Sequence, residues 1–417
     1  MCIRASAGRL RVTEIALEGS RFMPVIHRAV AAAAVTAAAG VVAAAVLMSP
    51  SSTQHYRNSG AVSTSARPNR PGAARGPFLA PLRMVRTIAS TIPQNGDVNP
   101  YGVAVIQHSA GRLHAGDVLV SNFNDKANLQ GTGSTIVEIT PGGQRRIFAH
   151  VTRAMLPAGG CPGGIGLSTA LAVLPFGWVA VGSAPSANGQ ASTARAGCVI
   201  ILDSLGRVTE TLTGSGIDGP WDATAVSRGS FADLFVTNAF NGTAAGHGKV
   251  VHRGTVVRIT LRLFARRGPR LVGSRVIASG LAEKADPAAF VLGPTGVGLG
   301  FNGTLYVADT ASNTITAIPS ALTRAHSAGP GRVLTSGGAL AQPLGMAIAP
   351  NGDILTVNGG NGKIVETTPG GARAATRFLD TSGSPAGAGA LFGLAVAPRG
   401  HVVYYVDDVA NTLRLLR

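Results

Sequence analysis

The chain has 417 residues and a formal net charge of +17, from 36 basic and 19 acidic side chains. Residues 1–77 hold nine arginines and two glutamates, so the remainder keeps 27 basic and 17 acidic side chains, a net charge of +10. These basic residues are scattered, whereas binding through phosphate contacts needs a concentrated patch, so we do not expect nucleic acid as a partner. No long run has the 3.6-residue periodicity of an amphipathic helix, which excludes a helical repeat protein.

The N-terminal region differs in composition from the rest of the chain. Residues 29–48 are uncharged and mostly apolar and follow Arg28, the layout of a secretory signal or an uncleaved membrane anchor. Residues 49–77 are rich in Ser, Pro, Gly and Arg, which is typical of a disordered linker. We therefore expect an exported protein, whether secreted, periplasmic or membrane-anchored. The predicted regions are an extension with a signal peptide or membrane anchor (1–48), the linker (49–77) and a folded domain (78–417).

A strand–turn–strand unit recurs six times along the folded region. It is clearest in FNGTLYVADTASNTI (301–315), where Asn302-Gly303 favours a tight turn and a polar bend follows the next strand. The last two intervals between copies are 49 and 48 residues. Periods of roughly 40–50 residues with about four short strands are typical of propeller blades. Aligned by their first strands, the copies begin at Pro100, Ser168, Pro220, Pro294, Pro343 and Leu391.

A fourth, outer strand follows in five copies, and the sixth copy lacks one because it ends the chain. The segment VRTIAST (85–91), ahead of the first copy, resembles SRVIASG (274–280), the outer strand of the third. We predict that it pairs as the outer strand of the sixth blade, which closes the ring. The predicted fold is an all-β, six-bladed β-propeller of four-stranded blades. The other predicted outer strands are 145–150, 207–213, 331–337 and 376–382.

The openings PTG (294–296) and PLG (343–345) and the hairpin LYVADTASNTI (305–315) resemble NHL repeats. They resemble more loosely the gluconolactonase and senescence-marker-protein propellers. The resemblance covers roughly residues 84–417 and implies a propeller, a fold that serves enzymes, receptors and scaffolds alike. In the gluconolactonase-like family a Glu, two Asn and an Asp hold calcium. The resemblance gives Asp309 the place of that Asp and makes calcium the candidate cofactor, although Thr295 stands where an Asn is expected and the Glu is missing.

Asp309 ends the second strand of its copy, and polar residues recur at that position. An Asx side chain there bonds to nearby backbone N–H groups and terminates the strand, so an architectural role comes first. The functional alternative is that this ring crowds the channel mouth, where its oxygens suit Ca²⁺. The equivalents of Asp309 are Asn122, Ser183, Asn238, Asn358 and Asp407, and a second ring at the following bend comprises Asn124, Asn188, Asn241, Asn313, Asn361 and Asn411.

Blade three carries Trp221-Asp222 in the place of pairs that end in glycine, such as Thr295-Gly296 and Leu344-Gly345. This pair is expected near the channel mouth, with Tyr101 at the matching place in blade one. Aromatic side chains with a few polar groups suit a ligand such as a sugar; packing of the tryptophan between blades is the alternative. The candidate ligand-binding residues are Tyr101, Asn122, Trp221, Asp222, Asn238, Asp309, Asn358 and Asp407.

Two cysteines fall in loops that emerge on the same face of a propeller. Cys161 lies in the loop entering blade two, and Cys198 lies just after the connection between that blade's second and third strands. An oxidising compartment permits a disulfide between them, and two separate small apolar residues are the alternative.

These patterns favour a binding module over an enzyme. We expect an exported, monomeric propeller that binds a ligand or a protein at the channel mouth and is anchored in a membrane if its apolar N-terminal segment is not cleaved. The alternative is a cation-dependent hydrolase or lyase of the gluconolactonase type.

Overall fold

The computed structural model describes residues 76–214, 216–398 and 400–417. They form six antiparallel sheets that are the blades of a β-propeller, so the predicted fold class is confirmed. Each inner strand packs against the inner strand of the next blade, and the sixth packs against the first. The predicted signal or anchor segment and nearly all of the predicted linker lie outside the described residues. Within the described ranges, no helix has the length and apolar character that a membrane span requires.

In blades one to five the strands pair in chain order from the channel outwards, and in blade six the outer strand is β1. Three short 3-10 turns, Arg153–Met155, Pro175–Gly177 and Ala191–Thr193, interrupt the loops of blades one and two. The strands up to the end of blade three are β1 (Val85–Ser90), β2 (Val98–Val105), β3 (Val118–Asn124), β4 (Thr135–Ile139), β5 (Arg145–His150), β6 (Leu167–Val173), β7 (Val179–Ser183), β8 (Cys198–Leu202), β9 (Val208–Leu212), β10 (Pro220–Arg228), β11 (Phe231–Asn238), β12 (Val251–Arg262), β13 (Arg270–Asp286) and β14 (Phe290–Leu292).

Blades four to six follow the same layout with shorter connections. We call the end of the propeller where second and third strands join the hairpin face, and the other end the opposite face. The remaining strands are β15 (Pro294–Leu299), β16 (Leu305–Asp309), β17 (Thr314–Ile318), β18 (Arg332–Ser336), β19 (Pro343–Ile348), β20 (Ile354–Asn358), β21 (Lys363–Thr367), β22 (Arg373–Phe378), β23 (Leu391–Val396), β24 (Val403–Asp407) and β25 (Thr412–Leu416).

The ring closes through the N-terminal strand, as predicted. β1 pairs antiparallel with β25, from Val85 opposite Leu416 to Ser90 opposite Thr412. The residues before β1 also dock, since Leu79 and Leu82 are buried in the apolar cluster shared by blades five and six. The two ends of the chain therefore complete one blade together.

Blade three departs from the four-stranded layout. β13 pairs with the third strand, β12, as far as Glu283 and then continues towards the hairpin face. The chain turns back there as the short strand β14, in which Leu292 lies opposite Lys284 of β13. This extension brings Asp286 and its neighbours over the propeller axis.

Two predicted positions were wrong by a few residues. The outer strand of blade five spans Arg373–Phe378 rather than 376–382, because the chain turns at Gly371 (φ 94°) and pairs from Arg373 onwards. In blade two, Leu167 rather than Ser168 lies opposite Ser183. The inner strand β6 there carries a longer register shift, between Leu167 and Leu171, than the inner strands of the other blades.

Glycines on the inner strands allow the blades to approach closely. A Cβ at Gly296 would collide with the carbonyl oxygen of Leu344 in the next blade, and one at Gly393 would collide with that of Tyr101. Only glycine therefore fits at these positions. Asp222 occupies the corresponding place in blade three.

The predicted disulfide is confirmed. Cys161 and Cys198 are bonded, with their Cα atoms 5.3 Å apart. Both are buried in the apolar cluster shared by blades one and two. The bond joins the loop entering blade two to the first residue of β8.

Candidate functional site

Two cavities lie along the propeller axis. The mouth cavity, of about 370 Å³, opens among the loops of the hairpin face. The channel cavity, of about 430 Å³, runs between the six inner strands. An aromatic layer lies between them, with ring centroids of neighbouring members 4.3–6.2 Å apart. It consists of Tyr101, Phe123, Trp221, Phe240, Phe290 and Phe392.

Rings and aliphatic side chains form the floor of the mouth cavity. Tyr101 and Phe392 approach most closely, with centroids 4.3 Å apart and planes tilted by 39°. Phe123 lies 5.5 Å from Tyr101, and Leu344 and Val291 line the cavity beside them. A flat apolar group can therefore rest on this floor. Amides and a hydroxyl line the rim above it: Asn99, Asn124, Asn128, Gln130, Thr310 and Gln342.

The backbone around this rim holds non-glycine residues in the left-handed region. Asn99 has φ 58°, Asn128 has φ 60° and Gln342 has φ 53°. Such conformations cost free energy and persist only where neighbours enforce them. The N–H of Asn99 donates to Asn411 Oδ1 (2.8 Å), and that of Gln342 donates to Asn313 Oδ1 (3.0 Å). Bend asparagines thus fix the entry of the following blade, which is the architectural role expected for that ring.

Two carboxylates line the mouth cavity. Asp286, at the end of β13, accepts the N–H groups of Ala288 and Ala289, and its Oδ2 lies 3.8 Å from Lys284 Nζ. Asp408 follows β24 and is half-buried. Burial, and then the neighbouring Asp407 carboxylate, raise the pKa of Asp408 to about 7. The mouth cavity therefore presents negative charge above an aromatic floor.

The channel cavity has a different character. Asp222 is the only charged side chain among its described lining residues, most of which are aliphatic. Its Oδ1 accepts the N–H of Ala223 (2.8 Å) and its Oδ2 accepts that of Val297 (3.1 Å) in the next blade. Burial raises the pKa of this carboxyl to about 8, against the lowering effect of those two donors. Asp222 thus links blades three and four and is largely protonated at neutral pH.

The predicted site residues fall in different places. Tyr101 lines the mouth cavity and Asp222 lines the channel cavity. Trp221 is buried in the aromatic layer, 5.6 Å from Tyr101 by ring centroids. Asp309 and its equivalents in the other blades line neither cavity and are all buried: Asn122, Ser183, Asn238, Asp309, Asn358 and Asp407.

Asp309 uses both carboxylate oxygens for backbone contacts. Oδ2 accepts the N–H of Ala282 on β13 (3.0 Å), and Oδ1 accepts that of Ser312 at the bend (3.0 Å). Burial raises its pKa, and the Ser312 N–H is the largest opposing contribution. These contacts tie blade three to blade four. The assignment of Asp309 as a calcium ligand stays a prediction.

One group of metal-ligand side chains comes together elsewhere, in blade one near the opposite face. His114, Asp117 and Glu138 place one ligand atom each within 4.8 Å of one another. The guanidinium of Arg146 lies among them, 2.7 Å from Glu138 and 3.3 Å from Asp117, and it also contacts His114. Arg146 thus already supplies a positive charge to these carboxylates, and a metal ion would have to displace it.

Sequence reasoning named Asn124 of the rim, as a bend residue, but missed the other rim residues and both carboxylates of the mouth cavity. A signal was available for Asp408, because the end of β24 reads Asp-Asp where the other blades carry one acid or none. Asn99 and Gln342 are large polar residues directly before an inner-strand proline. Asp286 had no such signal, since only the folding of β13 and β14 brings it to the axis.

The chain was compared with family models, curated proteins and solved structures. No family model matches the chain, and no curated protein matches it. Solved structures are loosely similar. A gluconolactonase, XC5397 from Xanthomonas campestris, shares 14% identity, with 81% of this chain and 90% of that one covered and a TM-score of 0.49. Virginiamycin B lyase from Staphylococcus aureus shares 16%, with 79% and 84% covered and a TM-score of 0.45.

A PQQ-bound aldose sugar dehydrogenase from Streptomyces coelicolor shares 16% identity, with 81% of this chain and 97% of that one covered and a TM-score of 0.47. All three TM-scores lie below 0.5.

Proposed function

We propose that this protein is an exported propeller that binds a small ligand in the mouth cavity of its hairpin face. The observation that carries the proposal is the aromatic floor of Tyr101, Phe123 and Phe392 beneath a rim of amides and carboxylates. The volume, about 370 Å³, lies within the range of small-molecule sites, roughly 300–1,000 Å³. Left-handed backbone at Asn99 and Gln342 adds support, because such strain concentrates at binding sites.

A binding role accounts for the residues of the mouth cavity more directly than metal-dependent hydrolysis does. Asp309 faces backbone donors and lines neither cavity. The group around Glu138 contains Arg146 and does not line the mouth cavity. A lactonase-type reaction would instead require a bound cation beside the ligand.

A cavity-filling variant tests the binding proposal. Ala388 lines the mouth cavity, so Ala388→Trp should fill it, whereas Ala325→Trp adds the same bulk at an exposed position in the connection between β17 and β18. Ligand-detected NMR would screen monosaccharides, amino acids and small aromatic amines. We expect at least one compound to bind wild type and Ala325→Trp but not Ala388→Trp. An empty panel, or binding that survives Ala388→Trp, would reject the mouth cavity as the site.

Export is supported by the Cys161–Cys198 bond, because structural disulfides form in oxidising compartments. Thiol titration of denatured protein, recovered from the cell compartment in which it resides, should find both cysteines blocked. Two free thiols in that material would contradict export to an oxidising compartment.

A further inference from the structure

The charge of the mouth cavity is opposite to that of the chain. The protein has 36 basic and 19 acidic side chains, yet no Lys, Arg or His is among the described residues that line this cavity. The two acidic side chains among the lining residues are Asp286 and Asp408. Lys284 Nζ, which lies outside the lining, is 3.8 Å from Asp286 Oδ2, so Asp408 is the lining acid to which no ion pair extends within the described ranges. An anionic ligand would be repelled by Asp408, whereas a cation would be attracted to it.

Asp408 and Asp407 are neighbours in sequence with opposite surroundings. Arg414 Nη1 lies 3.0 Å from Asp407 Oδ2 and also pairs with Asp380 Oδ2 at 3.2 Å. Within the described ranges no ion pair reaches Asp408, although it is half-buried. A partly desolvated carboxylate without a partner is costly, so a positive charge entering the cavity would relieve that cost.

The aromatic floor complements the same charge. Tyr101, Phe123 and Phe392 line the cavity. The face of such a ring attracts a cation within about 6 Å of its centroid. Asp408 acts electrostatically on the Tyr101 hydroxyl, since its charge helps to raise the pKa of that group. The Asp408 carboxylate and the aromatic floor therefore border the same small cavity.

We infer that the ligand of the mouth cavity carries a primary or quaternary ammonium group beside a flat apolar group. This rests on the proposed function and names its ligand class. The ammonium lies between Asp408, Asp286 and the rings, and the amides of the rim bind the polar remainder. Neutral sugars and anionic metabolites bind more weakly.

Binding of such a ligand depends on pH in a defined direction. The titratable groups that face Asp408 are Asp407 on the same segment and the Tyr101 hydroxyl from β2. Burial raises the pKa of Asp407 although Arg414 pairs with it, and burial keeps the Tyr101 hydroxyl protonated by raising its pKa. Asp408 has a pKa of about 7 and lines the cavity, whereas Asp407 does not. The ionisation of Asp408 therefore determines the charge that faces the ligand between mildly acidic and mildly basic pH. Its ionisation increases affinity for a cation as pH rises.

The test compares benzylammonium with benzyl alcohol, which share a ring and differ in charge. Isothermal titration would use wild type, Asp408→Asn, the exposed-acid control Glu210→Gln, and Ala388→Trp. We expect benzylammonium to bind wild type about tenfold more tightly than benzyl alcohol at about pH 8, and the ratio to fall towards one near pH 5.5. Asp408→Asn should lose the preference and its pH dependence while binding benzyl alcohol normally, and Glu210→Gln should keep both.

Contrary outcomes separate the ligand class from the site. Benzyl alcohol that binds at least as well as benzylammonium, and is blocked by Ala388→Trp, would overturn the ammonium inference and leave the mouth cavity as a ligand site. Benzylammonium binding that neither Ala388→Trp nor Asp408→Asn weakens would also overturn the ammonium inference. Failure of both probes at millimolar concentration would overturn it too, and an empty ligand panel in addition would reject the proposed function.

Discussion

Leu79 donates its backbone N–H to Glu366 Oε2 at 2.9 Å, although 287 positions separate the two residues. The other oxygen of Glu366 accepts the N–H of Phe78 (2.6 Å) and an amide hydrogen of Asn351 (3.1 Å). Leu79 is 1% exposed and packs in the cluster of blades five and six. A single carboxylate on β21 thus fixes the segment that leads into the ring-closing strand.

Replacing that carboxylate should loosen the N-terminal segment. Glu366→Gln keeps the shape but directs an NH₂ group at one of the two backbone donors, so we expect a loss of roughly 1–3 kcal/mol of stability. Glu210→Gln is the matched control, because Glu210 is exposed on β9. Chemical denaturation of both variants measures the difference. Equal stability of the two would show that the contact with Leu79 contributes nothing measurable.

Removing the ring-closing strand should have a larger effect. A chain starting at Asn99 lacks β1 and the packing of Leu79 and Leu82, and it leaves β25 as an open edge. Exposed strand edges pair with other chains, so we expect a lower melting temperature and association. A chain starting at Gly76 is the comparison, assessed by thermal melting and size-exclusion chromatography. Identical melting and a monomeric peak for both would contradict closure through β1.

Glu283 should make stability fall as pH rises. It is fully buried, and neither of its oxygens accepts a hydrogen bond of ordinary geometry from the described residues. Burial raises its pKa from 4.5 to about 8. Between those values the folded state holds a proton that the unfolded state has released, so unfolding becomes easier as pH rises through that window. Glu283→Gln cannot ionise and should lack this decline.

The measurement is urea denaturation of wild type and Glu283→Gln across this pH range. One pKa unit corresponds to about 1.4 kcal/mol, so we expect the variant to exceed wild type by roughly 4 kcal/mol near pH 9 relative to their difference near pH 5. Parallel stability profiles would mean that Glu283 ionises in the folded state at its ordinary pKa.

Asp309 and Asn358 occupy equivalent positions but should not be interchangeable. Asp309 accepts two backbone N–H groups, whereas the Asn358 amide donates to Ala339 O (2.8 Å) and Asn361 Oδ1 (2.9 Å). Asp309→Asn and Asn358→Asp each put the wrong group against a fixed partner. We expect each to cost roughly 1–2 kcal/mol, measured by thermal melting.

Added calcium separates this architectural role from metal binding. A ligand that binds the folded state raises the melting temperature. If Asp309 only links blades, calcium should leave the difference between wild type and Asp309→Asn unchanged. A calcium-dependent rise in wild type that disappears in Asp309→Asn would instead identify Asp309 as a metal ligand.

The sequence alone determined the blades and their closure. Each copy repeats the same sequence pattern of turn pairs such as Asn302-Gly303, β-forming runs and inner-strand glycines. This pattern is readable in the sequence because these residues determine structure within one blade or between adjacent blades. The match of residues 85–91 to an outer strand was likewise visible, because an open ring needs one more strand. The cysteine pair could be placed on one face from strand order, and the bond itself was confirmed only by the fold.

Only the tertiary structure decided which side chains reach the axis. Successive residues near a strand end point in different directions, so Asp407 contacts Arg414 while Asp408, one position later, lines the mouth cavity. Repeat alignment drew attention to the ring containing Asp407, whose members are buried and line neither cavity. Asp286 reaches the cavity because β13 and β14 fold over the axis. That path depends on contacts among blades distant in sequence, which local patterns do not encode.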